Sequence, residues 1–83
     1  MLDITLYTGK TCMPCHILSP RIKQIADANP DKLTYTDVDV AVSNPLNIQG
    51  TPHIVIKRDG QEIINEHVSN PSQVLAKIRE MVV

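Results

Sequence analysis

The period of apolar and polar residues changes along this chain, and each change marks an element. Residues 3–8 alternate, as a half-buried strand does, and then meet Gly9. From Cys12 to about Ala28 the apolar positions Leu18, Ile22, Ile25 and Ala26 recur three or four apart, which predicts one helical stripe. Asn29-Pro30-Asp31 stops that helix. Residues 33–39 carry Thr34, Tyr35, Thr36 and Val38, all favourable to extended backbone. Residues 41–50 are a polar connection containing Asn44-Pro45 and Gly50, with room for one helical turn. Within 53–57, the run Ile54-Val55-Ile56 predicts a strand covered on both faces. Asp59-Gly60 signals a hairpin turn. Residues 61–66 then return as a short edge strand in which only Ile63 and Ile64 are apolar. Ser69 or Asn70 can cap a last helix with Pro71 in its first turn, and Val74, Leu75, Ile78 and Val82 form its stripe.

The resulting order is β-α-β-β-β-α, with a short helix or loop between the second and third strands. The first βαβ unit should be parallel with a right-handed crossover, and the hairpin adds antiparallel strands. An α/β fold with a four-stranded mixed sheet and flanking helices is expected. The 83 residues predict one domain over 1–83. With two Tyr and no Trp or Phe, its core must be built from Ile, Val and Leu. The net charge of −1 leaves no basic stripe for nucleic acid, because the only adjacent basic pair, Lys57-Arg58, abuts Asp59. No apolar run approaches the roughly 20 residues that span a bilayer, so no membrane partner is expected. Met1-Leu2-Asp3 shows neither a basic nor an apolar leader region, which predicts a cytoplasmic location. In that reducing setting a cysteine pair reads as catalytic or metal-binding rather than as a staple.

Cys12-Met13-Pro14-Cys15 is the candidate site. Two thiols so spaced, at the end of a strand and the start of a helix, open and close a disulfide with little backbone movement. They are the only cysteines, so an internal disulfide must join them. At a helix N-cap, unpaired backbone N–H groups and the helix dipole favour a thiolate. Such motifs lower a thiol pKa to roughly 3.5–7.5. Cys12 is therefore assigned the attack, with Lys10 adding positive charge nearby, and Cys15 the resolving step. Pro14 suits the first turn, where no N–H is needed. The blandest alternative is a pair of inert, buried thiols, and two sharper rivals stand beside it. Zinc wants four ligands, and His16 with a distant His53 or His67 has no finger spacing. Residues 12–16 also spell the Cys-x-x-Cys-His haem signature, but the βαβ pattern and the intervening proline speak against it. His16 and His67 read as solvated, and His53 as a hydrogen-bonded, half-buried ring.

These features, taken in order, resemble small thioredoxin-fold proteins of the thioredoxin and glutaredoxin class. The cysteine motif follows the first strand. Pro20 lies five residues after Cys15, where thioredoxins carry a helix-kinking proline. Thr51-Pro52 precedes the third strand, where the family has its cis-proline, and Asp59-Gly60 makes the hairpin. The resemblance implies a cis bond at 51–52, with the Thr51 backbone facing outward to pair with an extended substrate segment. Thr11, Met13, Pro14, Thr51 and Pro52 are then the substrate-binding residues, with Gly9 on the rim. The chain departs from the pattern in three places. Thr11 stands where thioredoxins usually have Trp. Leu6 stands where they bury an Asp that accepts the second thiol's proton, so water or another group, such as His53, must serve. Asp59-Gly60-Gln61-Glu62 replaces the glutaredoxin Gly-Gly and acidic residues, which argues against a glutathione site, although Lys10 and Tyr7 match site-lining positions.

The reading is a thioredoxin-like, monomeric protein-disulfide oxidoreductase that needs no metal and no organic cofactor. Its partners are disulfide-containing proteins and a reductase or other electron donor. The alternatives are a glutaredoxin-like donor to a dedicated reductase such as ribonucleotide reductase, and a non-enzymatic binding module on the same fold.

Overall fold

The computed structural model describes residues 1–82. Strand β1 (Leu2–Thr8) leads into helix α1 (Met13–Ala28) and strand β2 (Leu33–Asp39). Strands β3 (His53–Arg58) and β4 (Gln61–His67) follow, and helix α2 (Pro71–Met81) closes the order. The sheet runs β2-β1-β3-β4. β1 pairs with β2 in parallel, and β3 pairs antiparallel with both β1 and β4.

Register decides which residues share a face. Leu2, Ile4 and Leu6 stand opposite Leu33, Tyr35 and Asp37 on one side, and Ile4 and Leu6 opposite Ile56 and Ile54 on the other. Of these, Leu2, Ile4, Leu6, Leu33, Ile54 and Ile56 form a single core cluster with Leu18 and Ile22 of α1 and Val74, Leu75 and Ile78 of α2, and Tyr35 packs against it. Both helices therefore lie on the same face. Their stripes are those of the sequence pattern, with Ile25, Ala26 and Val82 only partly buried.

Val55 points to the opposite face, where no helix packs. It is nonetheless 5% exposed, flanked in register by Thr5 and Asn65. The burial expected on both sides of β3 is present, with Val55 set between the neighbouring strands β1 and β4 rather than under a helix. The 41–50 segment does not form the helical turn allowed for it; it is a run of turns and bends. Asn44 explains why. Its Oδ1 accepts from the Ile48 N–H at 2.7 Å and its Nδ2 donates to the Ile48 carbonyl at 3.0 Å. Such side-chain bonds offer the backbone an alternative to a helix.

The local punctuation follows the chemistry of the residues. Asp59 and Gly60 take φ of 51° and 84°, the paired positive values that a tight two-residue hairpin requires. The β3–β4 register shifts after Ile56: Ile56 faces Ile64 while Lys57 faces Glu62. Ile63 is the extra residue of this bulge and is exposed, which accounts for two consecutive isoleucines in an edge strand. Asn70 caps α2, its Oδ1 accepting from the N–H groups of Ser72 and Gln73. Pro20 lies inside α1 at an exposed position, so the backbone bond it cannot donate is lost on the wet side.

Ile22→Ala empties the fully buried centre of the core and is expected to cost about 2–5 kcal/mol in urea unfolding. Val42→Ala, at an exposed position in the loop, should stay within about 0.5 kcal/mol of the parent.

Candidate active site

Strand β1 ends at Thr8, and the chain turns through Gly9 into α1. The Cys12 N–H donates to the Gly9 carbonyl at 3.1 Å, which closes that turn. Cys12 is the N-cap of α1, with extended backbone at φ −85° and ψ 99°. Its Sγ accepts the Cys15 N–H at 3.2 Å. An orphan donor of the first helical turn is thus aimed at the sulfur, as a thiolate at this position requires. Pro14, in the same turn, has no N–H to leave unpaired.

Cys12 and Cys15 form a disulfide, with their Cα atoms 5.3 Å apart. Cys12 is 9% exposed and Cys15 is 2% exposed, so the N-terminal sulfur is the one a partner reaches first. The first turn of α1 carries no acidic residue that would oppose a negative sulfur. His16 holds the approach to the helix, its Nε2 sharing a hydrogen bond with the Lys10 carbonyl at 3.2 Å.

The Thr51–Pro52 bond is cis, as the resemblance implied. Pro52 is buried and Thr51 half-buried. Gly9 shows how near this bend lies to the sulfurs. A Cβ on residue 9 would stand 3.2 Å from Thr51 Oγ1 and 3.8 Å from Cys12 Cβ. Gly9 therefore lets the bend and the cysteine turn meet. The Pro52 carbonyl accepts from the Val68 N–H at 2.8 Å, which ties the bend to the end of β4. Thr11, Met13 and Pro14 are exposed around Cys12.

Two features were not singled out from the sequence. Ile17 is 53% exposed, four residues after Met13, which is 69% exposed. Together they form an apolar ridge leading away from the disulfide. Its signal was an isoleucine that breaks the buried stripe of α1. The second feature is an exposed carboxylate on edge strand β2, on the side of the sheet where the helices pack. Asp37 stands in register with Leu6, and Ser19 of α1 donates to its Oδ1 and Oδ2 at 2.8 and 2.9 Å. The Tyr35 hydroxyl also bonds to Asp37. Burial first, and then that carboxylate, push the Tyr35 phenol well above its ordinary value. Ser19 lies one turn beyond Cys15, so this group reaches the same helix flank. His53, by contrast, alternates with Ile54 and faces the side without helices. Its Nε2 bonds Asn65 Oδ1 at 2.5 Å, and its ring meets Tyr7 edge-on at 6.5 Å. Among the described residues, no polar or charged side chain is fully buried, so no buried acid stands in for the one Leu6 replaces.

The family model described as Thioredoxin matches residues 3–80. Solved structures agree in fold. Deadhead, the germline-specific thioredoxin of Drosophila melanogaster, superposes with a TM-score of 0.81 at 16% identity, covering 98% of this chain and 81% of its own. Thioredoxin from Malassezia sympodialis gives 0.73 at 24% identity, covering 99% and 76%. The oxidised form of mitochondrial thioredoxin 3 from Saccharomyces cerevisiae gives 0.72 at 22%, covering 95% and 77%.

The raised Tyr35 phenol has a pH consequence. A tyrosine in the unfolded chain is half ionised at pH 10.0, while the folded chain holds the Tyr35 proton to higher pH. The contribution is complete below that pH and is lost as pH rises above it. Phenolate absorbance should show Tyr35 titrating later than an unfolded tyrosine, and Tyr35→Phe should flatten that part of the alkaline stability curve.

Proposed function

The chain belongs to the thioredoxin family, and we propose that it works there as a reductant of protein disulfides, docking its clients at the Thr51-Pro52 bend. The protein is a thiol–disulfide oxidoreductase with a Cys12–Cys15 redox pair. The observation that carries the finer reading is the Cys12 sulfur at the start of α1, accepting the Cys15 N–H and more exposed than its partner.

The proposed cycle starts from the dithiol. The Cys12 thiolate attacks one sulfur of the client disulfide and the other sulfur leaves as a thiolate. A mixed disulfide then joins Cys12 to the client. Cys15 gives up its proton and attacks Cys12 Sγ, and the client's second thiolate leaves. Two electrons pass to the client, two protons complete its thiols, and the protein is left as the disulfide. A reductase or other donor restores the dithiol. The proposed setting is a reducing cytoplasm, where a lone reactive pair serves as a working dithiol.

Backbone pairing at Thr51 would hold an extended client segment, as in β-addition. Thr11, Met13 and Pro14 border that segment, and Ile17 extends the apolar contact. Proton acceptance from Cys15 is assigned to Asp37 through Ser19 and water, rather than to His53. What supports this is the face each occupies: Asp37 is bonded to α1, whereas His53 lies across the sheet. Glutathione fits poorly. Asp59-Gly60-Gln61-Glu62 turns beside Met1 and Leu2, at the end of the sheet opposite the Thr8 end from which Cys12 follows.

Reduction of insulin disulfides tests the reading. Cys12→Ser should abolish turnover, and Cys15→Ser should stall as a covalent mixed disulfide through Cys12. If turnover persists in Cys12→Ser, the assignment of the attacking sulfur is wrong. A companion series addresses the proton. Asp37→Asn should slow resolution of the mixed disulfide by about tenfold or more at neutral pH and shift its pH profile upward, while His53→Ala leaves the profile unchanged.

A further inference from the structure

We propose that His53 and His67 form a site for a borderline divalent transition metal, such as Zn²⁺ or Cu²⁺, on the helix-free face of the sheet. The two residues are direct cross-strand partners in the β3–β4 hairpin. The Val68 N–H donates to the Pro52 carbonyl, so the ladder bonds flank this pair rather than join it. His53 and His67 are therefore a non-hydrogen-bonded pair, the kind whose side chains approach closest. In such pairs the Cβ atoms lie roughly 4.5–5.5 Å apart on one face. Two imidazoles on that base can converge on an ion about 2.0–2.1 Å from each ring nitrogen. Imidazole suits zinc, copper and nickel.

The surrounding groups prepare the rings for this. Asn65 Nδ2 donates to Glu62 Oε1 at 3.2 Å, so its Oδ1 is the atom turned toward His53. His53 Nε2 must then carry the hydrogen of their 2.5 Å bond. That leaves the lone pair of the neutral ring on Nδ1, free to bind. A ligand histidine whose other N–H is held by an oxygen acceptor is the usual second-layer arrangement of metal sites. His67 meets a different aid. A Cβ on residue 50 would come 3.6 Å from His67 Nδ1, in contact with that nitrogen; glycine leaves it uncovered. Both rings open into a cleft of about 530 Å³ that Leu46, Ile48 and Gly50 also line. Among the described residues no third His, Cys, Asp or Glu converges with them, so solvent would complete the coordination. The site lies apart from the disulfide chemistry, though His53 directly follows the Pro52 bend.

The test uses the full chain in its oxidised form, whose thiols are engaged in the disulfide and cannot compete for metal. Zn²⁺ is titrated calorimetrically, and Cu²⁺ binding is read by electron paramagnetic resonance. One equivalent of Zn²⁺ should bind. His53→Gln and His67→Gln should each weaken it at least tenfold, and His16→Gln should leave it unchanged. Asn65→Ala should weaken binding by about 10–100-fold, with recovery in Asn65→Asp, which restores an oxygen acceptor. The Cu²⁺ spectrum should show two nitrogen ligands, reduced to one in either histidine variant. The absence of Zn²⁺ binding, or wild-type affinity in either His53→Gln or His67→Gln, overturns the proposal. Far-ultraviolet circular dichroism of these surface variants should match the parent.

Discussion

A sulfur at the mouth of a helix is the constraint around which this molecule is arranged. The Cys12 Sγ accepts the Cys15 N–H, and the Cys12 N–H is itself closed onto Gly9. Both bonds require β1 to end at Thr8 and α1 to begin at Met13, with a tight turn between them. Glycine at position 9 suits this arrangement, because a Cβ there would crowd Thr51 Oγ1. The redox pair, the cis bend and the end of the central strand thus meet around Gly9.

The remaining architecture follows from packing both helices on one side. With few aromatic residues, the core is a layer of Ile, Leu and Val between the sheet and the two helices. This divides the chemistry. Groups on the covered face, Ser19, Tyr35 and Asp37, belong to the surroundings of α1 and its cysteines. Groups on the other face, His53, Asn65 and His67, are separated from them by the sheet. The 41–50 segment is held by Asn44 rather than by a helix, so it leaves an open cleft beside the histidines.

The sequence made most of this legible because the informative residues act locally. Helix stripes, the Asp59-Gly60 turn, the Asn70 cap and the cysteine spacing depend on neighbours within a few positions, and each stands where the pattern put it. What escaped depends on pairing between distant segments. Asp37 carries no mark of its own in the sequence; β2 aligns it with Leu6 and brings Ser19 against it. His67 read as a solvated ring until the hairpin register placed it opposite His53. The bulge at Ile63 likewise has no mark in β4 alone, because it is a mismatch between two strands. Val55 read correctly as buried, but apolarity alone does not say whether a helix does the covering.

The most direct measurement is the pH dependence of alkylation of the reduced protein, with each modified cysteine identified by mass spectrometry. The account predicts that Cys12 reacts first, with a midpoint well below that of an ordinary free thiol, while Cys15 stays protected. Preferential reaction at Cys15, or a Cys12 midpoint no lower than that of a free thiol, would contradict it.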